Sequence, residues 1–169
     1  MRQADIDLFR KSIFFRHLPD RYAQILARGA VVRRLPKDAV VWRARTTAAF
    51  IHVVLSGRIA VIGRTTESLP AIIDVFGPGD VVGLSAAFSA PDIIKARFNF
   101  SGVAAEESNV MLIRPATMRR LILADHAVAI AASRILALRV VRLYSVVRDL
   151  KELSANQRLA AYLLGLTSK

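Results

Sequence analysis

From residue 30 to residue 113 the chain is a succession of short β-branched or aromatic runs cut by turn residues. The runs are Ala30 to Leu35, Ala39 to Trp42, Phe50 to Leu55, Arg58 to Arg64, Ala71 to Phe76, Phe98 to Ala104 and Val110 to Ile113. Pro36-Lys37-Asp38, Ser56-Gly57, Gly77-Pro78-Gly79-Asp80 and Ser108-Asn109 punctuate them. Many short strands at close spacing predict an all-β sandwich or barrel. A helical period flanks this region. Asp5 to Phe15 and Asp20 to Arg28 read as short amphipathic helices parted by Leu18-Pro19, with Asp20 as N-cap and Gly29 closing the second. Pro115 opens a further helix, where its missing N–H is harmless, and Met118, Leu121 and Ile122 form its apolar face.

A long helix follows, about Ala127 to Leu153, without Gly or Pro. Leu136, Val140, Leu143, Val147 and Leu150 recur along it at alternating spacings of four and three, which is a heptad seam. Arg139, Arg142, Arg148 and Asp149 flank the seam, and the pattern favours a two-chain coiled coil over packing against the chain's own strands. Ser154-Ala155-Asn156-Gln157 is a capping box, so a new helix is expected from Ala155 to about Leu166. The expected division is residues 1–124 as N-terminal helices and strands, 125–153 as the dimerisation helix, and 154–169 as the start of a C-terminal domain.

Composition narrows the function classes. The chain has 169 residues, 54% of them hydrophobic, which suits one packed domain with an appendage. Charged residues interrupt every apolar run before membrane-spanning length, and the N-terminus does not read as a signal peptide, so a cytoplasmic location is expected. Cysteine is absent, which removes disulfides, thiolate nucleophiles and Cys-ligated iron–sulfur clusters. Lys and Arg number 25 against 13 Asp and Glu, a net charge of +12 that favours polyanionic partners such as nucleic acid. The charge is scattered, however, with pairs at Arg33-Arg34 and Arg119-Arg120 but no long basic run.

The combined pattern resembles the Crp/Fnr family of bacterial transcription regulators. The matching residues are Leu8-Phe9, Leu18-Pro19, Val54-Leu55-Ser56-Gly57, Phe76-Gly77-Pro78-Gly79-Asp80-Val81-Val82-Gly83 and Ala105 to Ile113, followed by Leu153 to Leu164 after the long helix. The resemblance implies a mainly β fold with flanking helices (α+β): a double-stranded β-helix or jelly-roll, a cupin-like β-roll, followed by a long C-terminal dimerisation helix. It implies a sensor domain that binds a small molecule, a homodimer, and DNA bound through a C-terminal helix-turn-helix that this chain does not contain. The unfinished helix at Leu163-Leu164 suggests a continuation.

In cyclic-nucleotide members of that family a Glu after the Gly-Asp turn bonds the ribose, and an Arg-Ser pair binds the phosphate. Here the Glu position holds Leu84, and the Arg-Ser positions fall near Asn99 and Phe100. Arg97, two residues before Asn99, would share its strand face and could take the phosphate, or could be a solvent-facing loop arginine. The ligand-pocket candidates are thus Gly83, Leu84, Ser85, Arg97, Asn99 and Phe100. Leu84 cannot replace a carboxylate toward a ribose, so the effector is expected not to be the usual cyclic AMP. Its identity stays open. Phe88, Phe98 and Phe100 filling the pocket themselves is one alternative. A haem-based gas sensor is another, with His17, His52 and His126 as candidate ligands and Met111 and Met118 behind them.

Two further classes compete. A metal enzyme on a cupin-like barrel would need clustered histidines, but only one of the three lies in an expected strand, so an enzyme is not expected. A stand-alone regulatory module could act through a protein partner docked on Leu159, Leu163 and Leu164. No metal site and no membrane partner is expected.

Overall fold

The computed structural model describes residues 3–16, 18–64, 70–89 and 96–152. Two helices lead, α1 (Gln3–Arg10) and α2 (Asp20–Arg28). Strands β1 (Val31–Leu35), β2 (Val40–Trp42), β3 (Ile51–Ser56), β4 (Ile59–Arg64), β5 (Pro70–Phe76) and β6 (Val81–Val82) follow. A single 3-10 turn, Leu84–Ala87, precedes β7 (Ser101–Ala104) and β8 (Ser108–Ile113), and the helices α3 (Pro115–Ala124) and α4 (His126–Glu152) close the order. The strands form two antiparallel four-stranded sheets, β1-β8-β3-β6 and β2-β7-β4-β5, which face each other as a jelly-roll.

Period-two alternation sorts the first sheet into two buried faces. Val54 lies opposite Val110 and His52 opposite Leu112, so these four share one face. That face meets Trp42, Ile59, Val61, Phe76 and Ala104 of the second sheet in the core of the roll. Ile51, Val53, Leu55, Met111 and Ile113 occupy the other face and are also buried, because helices cover it, with α1 packed on β3. Burial on both sides is why Ile51 to Leu55 of β3 are all buried, His52 among them, while β5, at a sheet edge, leaves Ile72, Ile73 and Val75 exposed. The Ser56-Gly57 turn needs its glycine: Gly57 has φ of 79°, and a side chain there would collide with the backbone of Glu107 and Ser108.

The structure departs locally from the sequence-based elements. The first helix ends at Arg10 rather than at Phe15. A continuous helix would turn Phe14 and Phe15 about 100° apart. Breaking it lets the Phe9 and Phe15 rings meet at 3.9 Å and those of Phe14 and Phe15 at 4.3 Å, with all three buried. Asp20 is the first residue of α2 rather than its cap; Pro19 takes the N-cap position. The Asp20 carboxylate pairs with Arg10 at 3.3 Å and still places negative charge at the helix N-terminus. The run from Phe98 is regular strand only from Ser101. Residues 96–98 pair instead with the loop before β3: Phe98 N donates to Thr46 O at 3.1 Å, and Ala48 N to Ala96 O at 2.8 Å.

The chain divides into two compact units, Met1–Ser133 and Arg134–Lys169, with the boundary inside α4. Along α4, Leu136 is half-buried, and Val140, Leu143 and Val147 are exposed. The side chain of Leu150 and the helix expected from Ala155 lie outside the described residues. No helix among the described residues is long and apolar enough to cross a membrane.

Candidate ligand site

Gly83 ends β6 in the left-handed region, at φ of 79°, and swings the chain into the 3-10 turn. Leu84 then points inward and is buried, whereas Ser85 is exposed. Ser85 serves the loop through its carbonyl, which accepts from Phe88 N at 3.0 Å and Ser89 N at 3.2 Å. Asp80 holds the preceding turn by accepting from Gly77 N at 2.9 Å.

Arg97 bridges to Thr47 and is exposed, as is Asn99. Alternation puts the residue between them, Phe98, on the inner side. Phe100 is exposed, and its carbonyl accepts from the Trp42 indole N–H at 3.0 Å. Of the six pocket candidates, Leu84 is buried and Gly83 half-buried, while Ser85, Arg97, Asn99 and Phe100 are exposed. Among the three aromatic residues considered as pocket fillers, Phe98 packs against the core, while Phe88 and Phe100 are exposed.

Phe98 joins two residues the sequence did not single out together. Its ring centroid is 5.2 Å from that of Trp42 and 5.7 Å from that of His52, and Trp42 and His52 are 5.0 Å apart. Phe98 also stands on the loop: a Cβ built on Gly83 would lie 3.4 Å from its ring. Trp42 fits because Gly102 faces it without a side chain; a methyl at residue 102 would overlap the indole.

His52 is 4% exposed, and its Nδ1 has no hydrogen-bond partner among the described residues. Burial, and then the charge of Arg33, push its pKa down to about 4, so the imidazole is neutral near pH 7. Among the haem-ligand candidates His126 is exposed, and His17 lies outside the described residues. His52 is the described histidine whose ring is held in the interior, as the neutral imidazole. No group of three or more His, Cys, Asp or Glu is placed to hold a metal ion among the described residues.

Arg119, on α3, grips the end of the 3-10 turn. Its Nε donates to Ala87 O at 3.0 Å and its Nη2 to Ser89 O. The sequence shows Arg119 only as half of a basic pair. Its partners are carbonyls about thirty residues away, and no side-chain pattern announces a carbonyl.

The cyclic nucleotide-binding domain model matches residues 32–125. No curated protein matches the sequence. Among solved structures, the chain is similar to a protein from Silicibacter pomeroyi DSS-3 described as a candidate cAMP-binding regulator. Identity is 27%, coverage is 98% of this chain and 73% of that one, and the TM-score is 0.65. The sensor domain of the transcriptional regulator DNR from Pseudomonas aeruginosa is 20% identical over 88% of this chain and 94% of that one, with a TM-score of 0.66. The catabolite activator protein of Thermus thermophilus is 19% identical over 82% of this chain and 62% of that one, with a TM-score of 0.67. At these last two identities the likeness speaks for the fold. The family match spans more than half of the chain and coincides with the jelly-roll and α3, so the chain belongs to the cyclic nucleotide-binding domain family.

Proposed function

We propose that this chain is the effector-sensing and dimerisation part of a Crp/Fnr-like DNA-binding transcription regulator whose effector is not the usual cyclic AMP. The observation that carries the reading is the chemistry around Gly83. A buried leucine, Leu84, follows it, where a cyclic nucleotide would need a carboxylate for its ribose. The 27% identical neighbour described as a candidate cAMP-binding regulatory protein supports the regulatory role. DNA contact is assigned to a helix-turn-helix beyond this chain, and catalysis has no part in the proposal.

Output follows from connectivity within the first unit. Arg119 ties the Gly83–Ser89 loop to α3, and Asp125, at the end of α3, caps α4 by accepting from Ala127 N at 2.8 Å. An effector that favours one arrangement of the loop thereby biases the start of α4, a population shift. The seam of Leu136, Val140, Leu143 and Val147 is the surface assigned to the second copy.

Sedimentation of the protein and of Leu143→Asp, with a cyclic AMP titration read by calorimetry, tests the reading. The parent is expected to be a dimer and Leu143→Asp a monomer, since the variant would bury an unpaired charge. No saturable heat is expected with cyclic AMP. A variant as dimeric as the parent, or tight cyclic AMP binding, would overturn it.

A further inference from the structure

The ring cluster inside the roll is closed but chemically incomplete. With centroids 5.0, 5.2 and 5.7 Å apart, Trp42, His52 and Phe98 touch one another and leave no slot between them. Yet His52 Nδ1 has no partner among the described residues, and neither neighbour can supply one. Phe98 has no polar atom on its side chain, and the Trp42 N–H is committed to Phe100 O. A buried imidazole nitrogen left unpaired carries a desolvation cost that any molecule able to pair with it would recover.

The three rings are not held alike. His52 lies in β3, paired on both sides with β6 and β8. Trp42 ends β2, pinned by its indole hydrogen bond and by Gly102. Phe98 lies outside the regular strands, in a short segment held to the loop at 45–48 by backbone hydrogen bonds. It is half-buried rather than buried. Of the three, Phe98 is the ring that can leave without breaking a sheet.

We infer that the interior beside Gly83 is an exchange site. A small planar aromatic molecule carrying one hydrogen-bonding group binds against Trp42 and His52 by displacing the Phe98 ring, and pairs its polar group with His52 Nδ1. This rests on the effector-sensing reading and deepens it by naming the ligand class. Displacement also supplies a signal, because Phe98 stands on Gly83 and the loop that starts there is gripped by Arg119. A ring that replaced Phe98 would move the contact on which the loop rests.

Trp42 is the only tryptophan in the chain, so its emission reports on the site directly. The probes are phenol and toluene, which share a shape and differ by one hydroxyl. In Phe98→Ala, which vacates the site, phenol is expected to quench or shift Trp42 emission saturably. It should bind about tenfold more tightly than toluene, the worth of one buried hydrogen bond. The preference should vanish in the double variant Phe98→Ala, His52→Leu, and wild type should bind phenol more weakly than Phe98→Ala because its own ring competes. Phe98→Leu provides the same comparison should the alanine variant fail to fold. Toluene binding as well as phenol, or no saturable response in either variant, overturns the exchange site. Sedimentation of Leu143→Asp separates the two failures, since the seam can hold while the exchange site falls.

Discussion

The phenolic hydroxyl of Tyr22 donates to the Asp125 carboxylate, and the same carboxylate accepts from the Ala127 N–H at 2.8 Å. One acidic side chain thus joins α2 to the first turn of α4. Tyr22 is buried, and Arg21 lies over its ring at 4.8 Å and within 3.6 Å of Asp125. The Tyr22 hydrogen bond, and then that of Ala127, hold the Asp125 carboxyl below its ordinary value.

Tyr22→Phe should therefore loosen the start of α4 and change its response to acid. A carboxyl whose folded pKa is depressed stabilises above its unfolded value, and that contribution is lost as pH falls through the folded value. Removing the hydroxyl raises the folded value toward normal, so protection should be lost at a higher pH than in the parent. Hydrogen exchange at the amides of Ala127 and Ala129, followed across acidic pH, reads this. Identical pH profiles for parent and variant would remove Asp125 from the role of joint.

His52 gives a second pH dependence, in another window. Its pKa lies at about 4 in the folded chain against an ordinary 6.5, so the unfolded chain binds the proton more readily between those values. Stability is complete above pH 6.5 and falls as pH drops toward 4. The full loss is about 3 kcal/mol, from 1.36 kcal/mol per pKa unit. Arg33 on β1 is the charged group that adds to the effect of burial. Urea unfolding at neutral pH and near pH 4 should show the loss in the parent and a much smaller one in His52→Leu.

Gly102→Ala tests the packing of the ring cluster. The added methyl overlaps the Trp42 indole, which is fixed by its hydrogen bond to Phe100 O. Overpacking of this kind costs about 1–3 kcal/mol. Thermal unfolding should register the loss, together with a shift in Trp42 emission. An unchanged spectrum would mean that the indole does not rest on Gly102.

Arg119→Lys keeps the charge and loses the fork. A lysine amine is a single point donor and cannot reproduce the two bonds to Ala87 O and Ser89 O. The expected cost is about 1 kcal/mol of stability, with faster exchange confined to the amides of Ala86, Phe88 and Ser89. Faster exchange spread evenly over both sheets would point to a general packing loss instead.

Much of this architecture could be read in the residues. The β-branched runs between residues 30 and 113 and the turns at Ser56-Gly57 and Gly77 to Asp80 become the two sheets, because alternation and turn chemistry are local properties. Residues 98–100 were legible only in part. Alternation placed Arg97 and Asn99 on one side, but whether that side is inside depends on how residues 96–98 pair with the loop at 45–48, a contact set by the fold. Arg119 and Tyr22 were not legible at all, since each acts on a group far away in sequence.

The sequence by itself determined that the chain forms short strands flanked by helices, that cysteine chemistry is excluded, and that no carboxylate follows Gly83. These follow from residue type and period. The tertiary structure alone decided that Phe98 rather than Arg97 faces Gly83, that His52 is buried with Nδ1 unpaired, and that Arg119 and Asp125 connect the loop to α4. Each depends on which backbone groups meet across the roll, and pairing between distant segments is a property of the packed chain rather than of any window along it.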